Sequence, residues 1–164
     1  MSATVSIITG SESDLDLANK CGETLDSLFI DYSINVFSAH RTPDLLKDHL
    51  QETEKEGTKI YIAIAGLAAH LAGAIASKTT KPVIGIPAEI GPLEGIDALL
   101  STVQMPRGIP VATVAIGSHG AANAAYLAAQ ILSLGSEEIA QKLVSLRKKN
   151  REAVVEINEK LAKK

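Results

Sequence analysis

Five short apolar runs recur along this chain, at residues 5–9, 32–37, 59–65, 82–86 and 111–116, and a stretch of helical length follows each. The first, third, fourth and fifth are rich in Val and Ile, as buried parallel strands are. The second alternates apolar and polar residues, the mark of a half-buried strand. Between them lie helical patterns: Leu15, Ala18, Cys21, Leu25 and Leu28; residues 43–56, closed by Gly57; a helix of small residues after the 66–73 segment; residues 93–103; and the Ala-rich 121–132. Strands alternating with helices of this length require right-handed crossovers, and these build a doubly wound parallel sheet. No linker or repeat divides the pattern, so residues 1–164 are expected to form a single α/β domain. A last helix, about 136–162, carries Ile139, Leu143, Leu146, Ala153, Ile157 and Leu161 on one face and charges on the other. It packs either on the body of its own chain or on a neighbouring subunit, and the pattern leaves both open.

Composition excludes several classes. The net charge is −3, and the Lys and Arg residues gather near the C-terminus. Aromatic residues make up 3% of the chain and Trp is absent, so the basic stripe and stacking platform of a nucleic-acid binder are missing. No uninterrupted apolar run approaches the roughly 20 residues of a membrane span, and no secretory signal pattern appears. Cys21 is the single cysteine, so no intrachain disulfide can form, which fits a reducing cytoplasm.

Polar chemistry collects at the ends of the strands, where open α/β sheets bind ligands. Ser38-Ala39-His40-Arg41-Thr42-Pro43 leaves the second strand. Thr42 suits a helix N-cap and Pro43 the first helical position. Arg41 offers a rigid fork of donors to a phosphate or carboxylate, and His40 exchanges protons near neutral pH. Gly10-Ser11-Glu12-Ser13-Asp14 leaves the first strand. Backbone N–H groups and a helix dipole favour an anion there, with Ser11 as an added donor and Asp14 as an acceptor for ribose hydroxyls. Ser and Asp are also ordinary capping residues, which is the plainer reading of the same segment. The loop matches neither the dinucleotide fingerprint nor the Walker loop.

His70 falls in the first turn of the third helix, on a small apolar face, and reads as a structurally satisfied or supporting histidine. His49 and His119 show no partner pattern, and no set of residues has metal-ligand spacing. Gly66, Ala68, Ala69, Ala72 and Gly73 place small residues where backbone can approach a ligand closely. Residue pattern alone thus points to a phosphate-bearing small molecule and acid–base chemistry by His40.

Those segments, with Ala68-Ala69-His70-Leu71, Pro82-Val83-Ile84-Gly85 and Leu99-Leu100-Ser101-Thr102-Val103-Gln104-Met105-Pro106, resemble the N5-carboxyaminoimidazole ribonucleotide mutase family of purine biosynthesis. The likeness runs in order from about residue 5 to 132. It implies a three-layer doubly wound sheet of the flavodoxin-like or Rossmann-like kind with an extra C-terminal amphipathic helix. It also implies a homo-octamer, no metal or organic cofactor, no nucleic-acid or membrane partner, and a ribonucleotide substrate supplied by N5-carboxyaminoimidazole ribonucleotide synthetase. Carried over by position, His40 is the catalytic histidine, while Ser11, Asp14 and Arg41 bind the ribonucleotide. Ser38 holds the phosphate or orients the turn, and Ser13, Gly66, Ala69, His70 and Leu71 complete the binding set.

The sister activity, carboxylation of aminoimidazole ribonucleotide by free CO2, is the alternative. Family carboxylases tend to carry Lys after the catalytic His and Ser-Asn in place of Ala-His. Arg41 and Ala69-His70 therefore side with the mutases, whereas the apolar Ile64-Ala65-Gly66-Leu67 does not, and Ala72 stands where the family often has Pro.

Overall fold

The computed structural model describes residues 3–163. The chain forms two compact units, one running to Ala128 and the other starting at Ala129.

In the first unit the strands are β1 (Val5–Thr9), β2 (Tyr32–Val36), β3 (Ile60–Ala65), β4 (Val83–Pro87) and β5 (Ala112–Thr113). They form one all-parallel sheet in the order β2-β1-β3-β4-β5. The helices are α1 (Leu15–Ser27), entered through a 3-10 turn at Glu12–Asp14, then α2 (Pro43–Glu56), α3 (Leu71–Ala76), α4 (Ile96–Val103) and α5 (Gly117–Ser133), which runs on past the unit boundary. Helices cover both faces of the sheet in the flavodoxin-like arrangement.

Burial explains why some strands stand out in the sequence. Every residue of β1 and β4 is buried, as are five of the six in β3, so their sequences are apolar without alternation. β2 lies at the edge, half-buried from Tyr32 to Asn35 and exposed at Val36, and its sequence alternates. From β1 the chain steps outward to β2, then returns across β1 to β3. That reversal opens a crevice at the carboxyl ends of β1 and β3. The ladder reaches right up to it: the Phe37 N–H donates to the Thr9 carbonyl at 2.9 Å and the Gly10 N–H to the Ile64 carbonyl at 3.0 Å.

α2 has the expected bounds, with Pro43 in its first turn and Gly57 at the C-cap in the left-handed region at φ 109°. Three elements differ from expectation. β5 pairs only through Ala112 and Thr113, because it has one neighbour and the chain leaves the edge to start α5 at Gly117, four residues earlier than its sequence suggests. α4 begins at Ile96 rather than residue 93, since Gly91, Glu94 and Gly95 all take positive φ and form a turn. α3 begins at Leu71, which leaves His70 at its N-cap rather than in its first turn.

One face of the sheet is sealed by a core of Ile8, Leu46, Leu50, Tyr61, Leu71, Ile75 and Val83. The Tyr61 hydroxyl lies 2.9 Å from Thr53 Oγ1 and donates to the Leu50 carbonyl at 3.2 Å, so even its polar tip is satisfied. In the second unit, α6 (Glu137–Ala162) is capped by Ser136, whose Oγ accepts the Ile139 N–H at 3.4 Å. None of its residues is fully buried, and Val144, Val154, Ile157 and Leu161 are exposed. Among the described residues no helix is long and apolar enough to cross a membrane.

Leu50→Ala is expected to cost about 2–5 kcal/mol, the range for removing a buried leucine from a core that only partly collapses. Urea unfolding of the two proteins measures it, and a loss under about 1 kcal/mol would show that α2 is not clamped by this core.

Candidate active site

Four strand-end loops meet at the crevice. The loop after β1 supplies Ser11, Ser13 and Asp14; the loop after β2 supplies Ser38, His40 and Arg41; the loop after β3 supplies Gly66, His70 and, at the start of α3, Leu71. All nine line one cleft of about 440 Å³. Ala69 does not line it. It is 2% exposed, set behind the wall with its N–H donated to the Leu67 carbonyl. Leu67 and Ile90, which sequence reasoning passed over, also line the cleft. Ile90 lies three residues past the end of β4, so the strand-end rule that singled out the other loops pointed at its loop as well.

The β2 loop is shaped by its own short side chains. Ser38 Oγ accepts the backbone N–H groups of His40, at 3.3 Å, and Arg41, at 3.1 Å. Thr42 stands at the N-cap as expected, yet its hydroxyl does not cap α2. It accepts the Ser38 N–H at 3.0 Å and donates to the Ser38 carbonyl at 3.2 Å, closing the turn instead. Ser38 therefore orients the turn and keeps its own O–H available to donate. Arg41 reaches back to β1, where its Nη2 donates to the Gly10 carbonyl at 3.0 Å.

His40 meets His70 across the crevice. His40 Nε2 lies 2.8 Å from His70 Nδ1, with the rings edge to face at 79° and centroids 4.9 Å apart. One nitrogen must donate and the other accept, so the contact cannot stand with both rings as imidazolium. Its partner makes His70 a satisfied residue, as its sequence setting suggested. His49, by contrast, has partners its sequence did not show: Ser6 Oγ at 3.3 Å and the Phe37 ring at 4.7 Å. It lies outside the cleft, and burial lowers its pKa.

Ser11 Oγ accepts the Ser13 backbone N–H at 3.4 Å and lies 3.2 Å from the Ser13 hydroxyl. Asp14 is 4% exposed. Burial pushes its carboxyl above the usual carboxylate range, and a hydrogen bond from Ser13 Oγ at 3.4 Å offsets part of that rise. Among the described residues no three His, Cys, Asp or Glu side chains gather as metal ligands.

A parallel α/β sheet whose strand-end cleft joins a histidine pair, an arginine and short hydroxyl side chains has the donors to receive an anionic small molecule and the groups to exchange protons with it. Residues 4–153 match the model of the family described as AIR carboxylase, so the chain belongs to that family. It is 47% identical over 161 residues, 98% of this chain and 99% of the relative, to the Bacillus subtilis (strain 168) protein named N5-carboxyaminoimidazole ribonucleotide mutase. It is 48% identical over 154 residues, 94% of this chain and 91% of the relative, to the Escherichia coli (strain K12) protein of the same name. The crystal structure of Treponema denticola PurE superposes with a TM-score of 0.88 at 35% identity, covering 96% of this chain and 97% of that one.

Asp14→Asn gives a signed test of the buried acid. Folding raises the Asp14 pKa above its unfolded value, so its stabilising contribution is complete below the unfolded value and lost as pH rises through the raised folded one. The amide, which carries no charge to bury, should unfold at higher denaturant than the wild type at pH 7. That advantage should shrink as pH falls to about 4. Denaturant titrations across this range measure it, and an advantage that grows on acidification would contradict the assignment.

Proposed function

We propose that this chain is an N5-carboxyaminoimidazole ribonucleotide mutase, an isomerase that moves the carboxyl group from N5 to C4 of the imidazole ribonucleotide. Support for the identity of the reaction comes from near full-length relatives bearing that name at 47% and 48% identity. The geometry that carries it is the placing of His40 beside Arg41, where the ends of β1, β2 and β3 converge.

The chemistry needs one group that gives a proton and then takes one back. Protonated His40 donates to N5; the N5–carboxyl bond breaks, its electron pair stays on nitrogen, and CO2 is released. C4, an enamine carbon, attacks the CO2 and forms the new C–C bond. Neutral His40 then removes the C4 proton, which restores the aromatic ring and returns His40 to its starting state. His70 holds the His40 ring in place through their contact, and Ser38 fixes the backbone from which that ring projects. Arg41 keeps donors free beyond the Gly10 carbonyl and takes the phosphate together with Ser11 and Ser13. Asp14 accepts the ribose hydroxyls. Gly66 and Leu71 line the end of the cleft where the carboxyl group moves, and Ala69 supports that wall from behind.

The enzyme works in the cytoplasm, downstream of the synthetase that carboxylates N5, as a homo-octamer in which the C-terminal helix, about 136–162, packs on its own α/β domain or on a neighbouring subunit. Exposed Val144, Val154, Ile157 and Leu161 on α6 support an assembly. Light scattering at micromolar concentration is expected to give the mass of eight chains, and a stable monomer would overturn the octamer.

Incubation with the N5-carboxylated nucleotide should yield the 4-carboxylated isomer. His40→Asn should lower turnover by at least ~10²–10⁴-fold, since one residue serves both proton transfers, while nucleotide affinity is largely kept. Activity above a few per cent in that variant would remove His40 from the mechanism, and no isomer from the wild type would overturn the reading.

A further inference from the structure

The loops after β3 and β4 hold each other through two reciprocal contacts that the mechanism above leaves without a role. Ile90 from the β4 loop fills the space a Cβ would need at Gly66. Leu67 from the β3 loop does the same at Gly91, where its Cδ2 would stand 2.5 Å from a Cβ. Each glycine thus receives an aliphatic side chain from the opposite loop. A Cβ at either glycine would have to displace the tip of that side chain.

Leu67 is held in an unusual state to make this contact. Its φ is 55°, in the left-handed region that bulky residues rarely occupy, and it is 48% exposed. A leucine stays there only when its surroundings over-determine it, and such strain gathers at functional sites. Leu67 also gains little from burial, so core packing does not account for it. Both Leu67 and Ile90 line the cleft that holds His40 and His70.

We infer that Leu67 and Ile90 form an apolar latch across the β3 and β4 loops, and that this latch sets how much released CO2 is recaptured by C4 rather than lost to solvent. The inference rests on the mutase reading. CO2 carries no net charge and is a poor hydrogen-bond acceptor, so a wall of aliphatic carbon retains it better than water-lined backbone. The hydroxyl and guanidinium groups of Ser11, Ser13 and Arg41 occupy the other loops and suit the phosphate. The cleft is therefore divided: hydroxyl and guanidinium groups lie at the β1 and β2 loops, and, His70 apart, aliphatic carbon lies at the β3 and β4 loops. Leu67 and Ile90 act on partition and do not exchange protons, so they are specificity-determining residues.

The test uses unlabelled N5-carboxylated nucleotide in excess ¹³C-bicarbonate and reads the labelled fraction of the 4-carboxylated product. That fraction is a ratio, so a change in rate alone does not move it. Leu67→Gly removes the side chain while easing the left-handed backbone, and is expected to fold. Ile90→Ala removes the other half of the latch, and circular dichroism checks that each variant is folded. The wild type is expected to incorporate little label, and each folded variant several-fold more. Label unchanged from the wild type in Leu67→Gly overturns the latch and leaves the mutase reading standing. High label already in the wild type overturns the latch and assigns the enzyme to free CO2. Failure of the wild type to form product removes the mutase reading and the latch with it.

Discussion

The backbone of Gly10 ties together the three strand ends from which the cleft is built. Its N–H is held by the Ile64 carbonyl of β3, and its own carbonyl takes the guanidinium of Arg41 from the β2 loop. Just before it, the Thr9 carbonyl accepts the Phe37 N–H. β1 is thus linked to both neighbours at the point where their ladders end. Without these bonds the three loops would be separate excursions from a sheet edge. With them, His40, next to Arg41 in sequence, is held facing His70 on the β3 loop. Arg41 is exposed, so its bond to Gly10 is screened by water and adds little to stability. Its effect is on geometry, because it fixes one end of a five-donor fork and aims the rest into the cleft.

Much of the fold was legible in the sequence, and the reason is burial. β1 has both faces covered and reads as an uninterrupted apolar run. Pro43 and Gly57 punctuate α2 because one has no N–H to lose and the other can turn left-handed. The illegible parts were set by long-range pairing or by rare backbone states. How far β5 pairs depends on where β4 lies beside it, which its own residues do not encode. The late start of α4 depends on Glu94, a residue with no preference for the φ of 49° it adopts. The same holds for Leu67.

The site followed the same division. Ser11, Asp14, Ser38, His40 and Arg41 could be found because each sits next to a strand end, and the strand-end rule needs only local pattern. The meeting of His40 with His70 could not be derived from spacing. The two lie 30 residues apart, and their contact depends on β1 standing between β2 and β3. His49 shows the same limit in a structural role, since Ser6, 43 residues away, becomes its partner only when α2 lies on β1. Likewise, Ile90 joins the cleft because Gly66 has no side chain to keep it out.

These features explain why the site sits on this part of the sheet. A buried acid at Asp14 and a left-handed leucine at position 67 each work against folding, the latter by roughly 1–3 kcal/mol. A fully buried isoleucine contributes about 1.5–3 kcal/mol, so one such residue roughly offsets one strained one. Ile7, Ile8, Ile60, Ile62 and Ile64, all 0% exposed, lie on the two strands directly behind these loops. β5 pairs through two residues and has no fully buried residue of its own. The same strain at that edge would compete with the pairing that holds the strand in place. Beside β1 and β3 it is borne by residues whose burial does not depend on the loops, and the sheet keeps its register while the cleft keeps its shape.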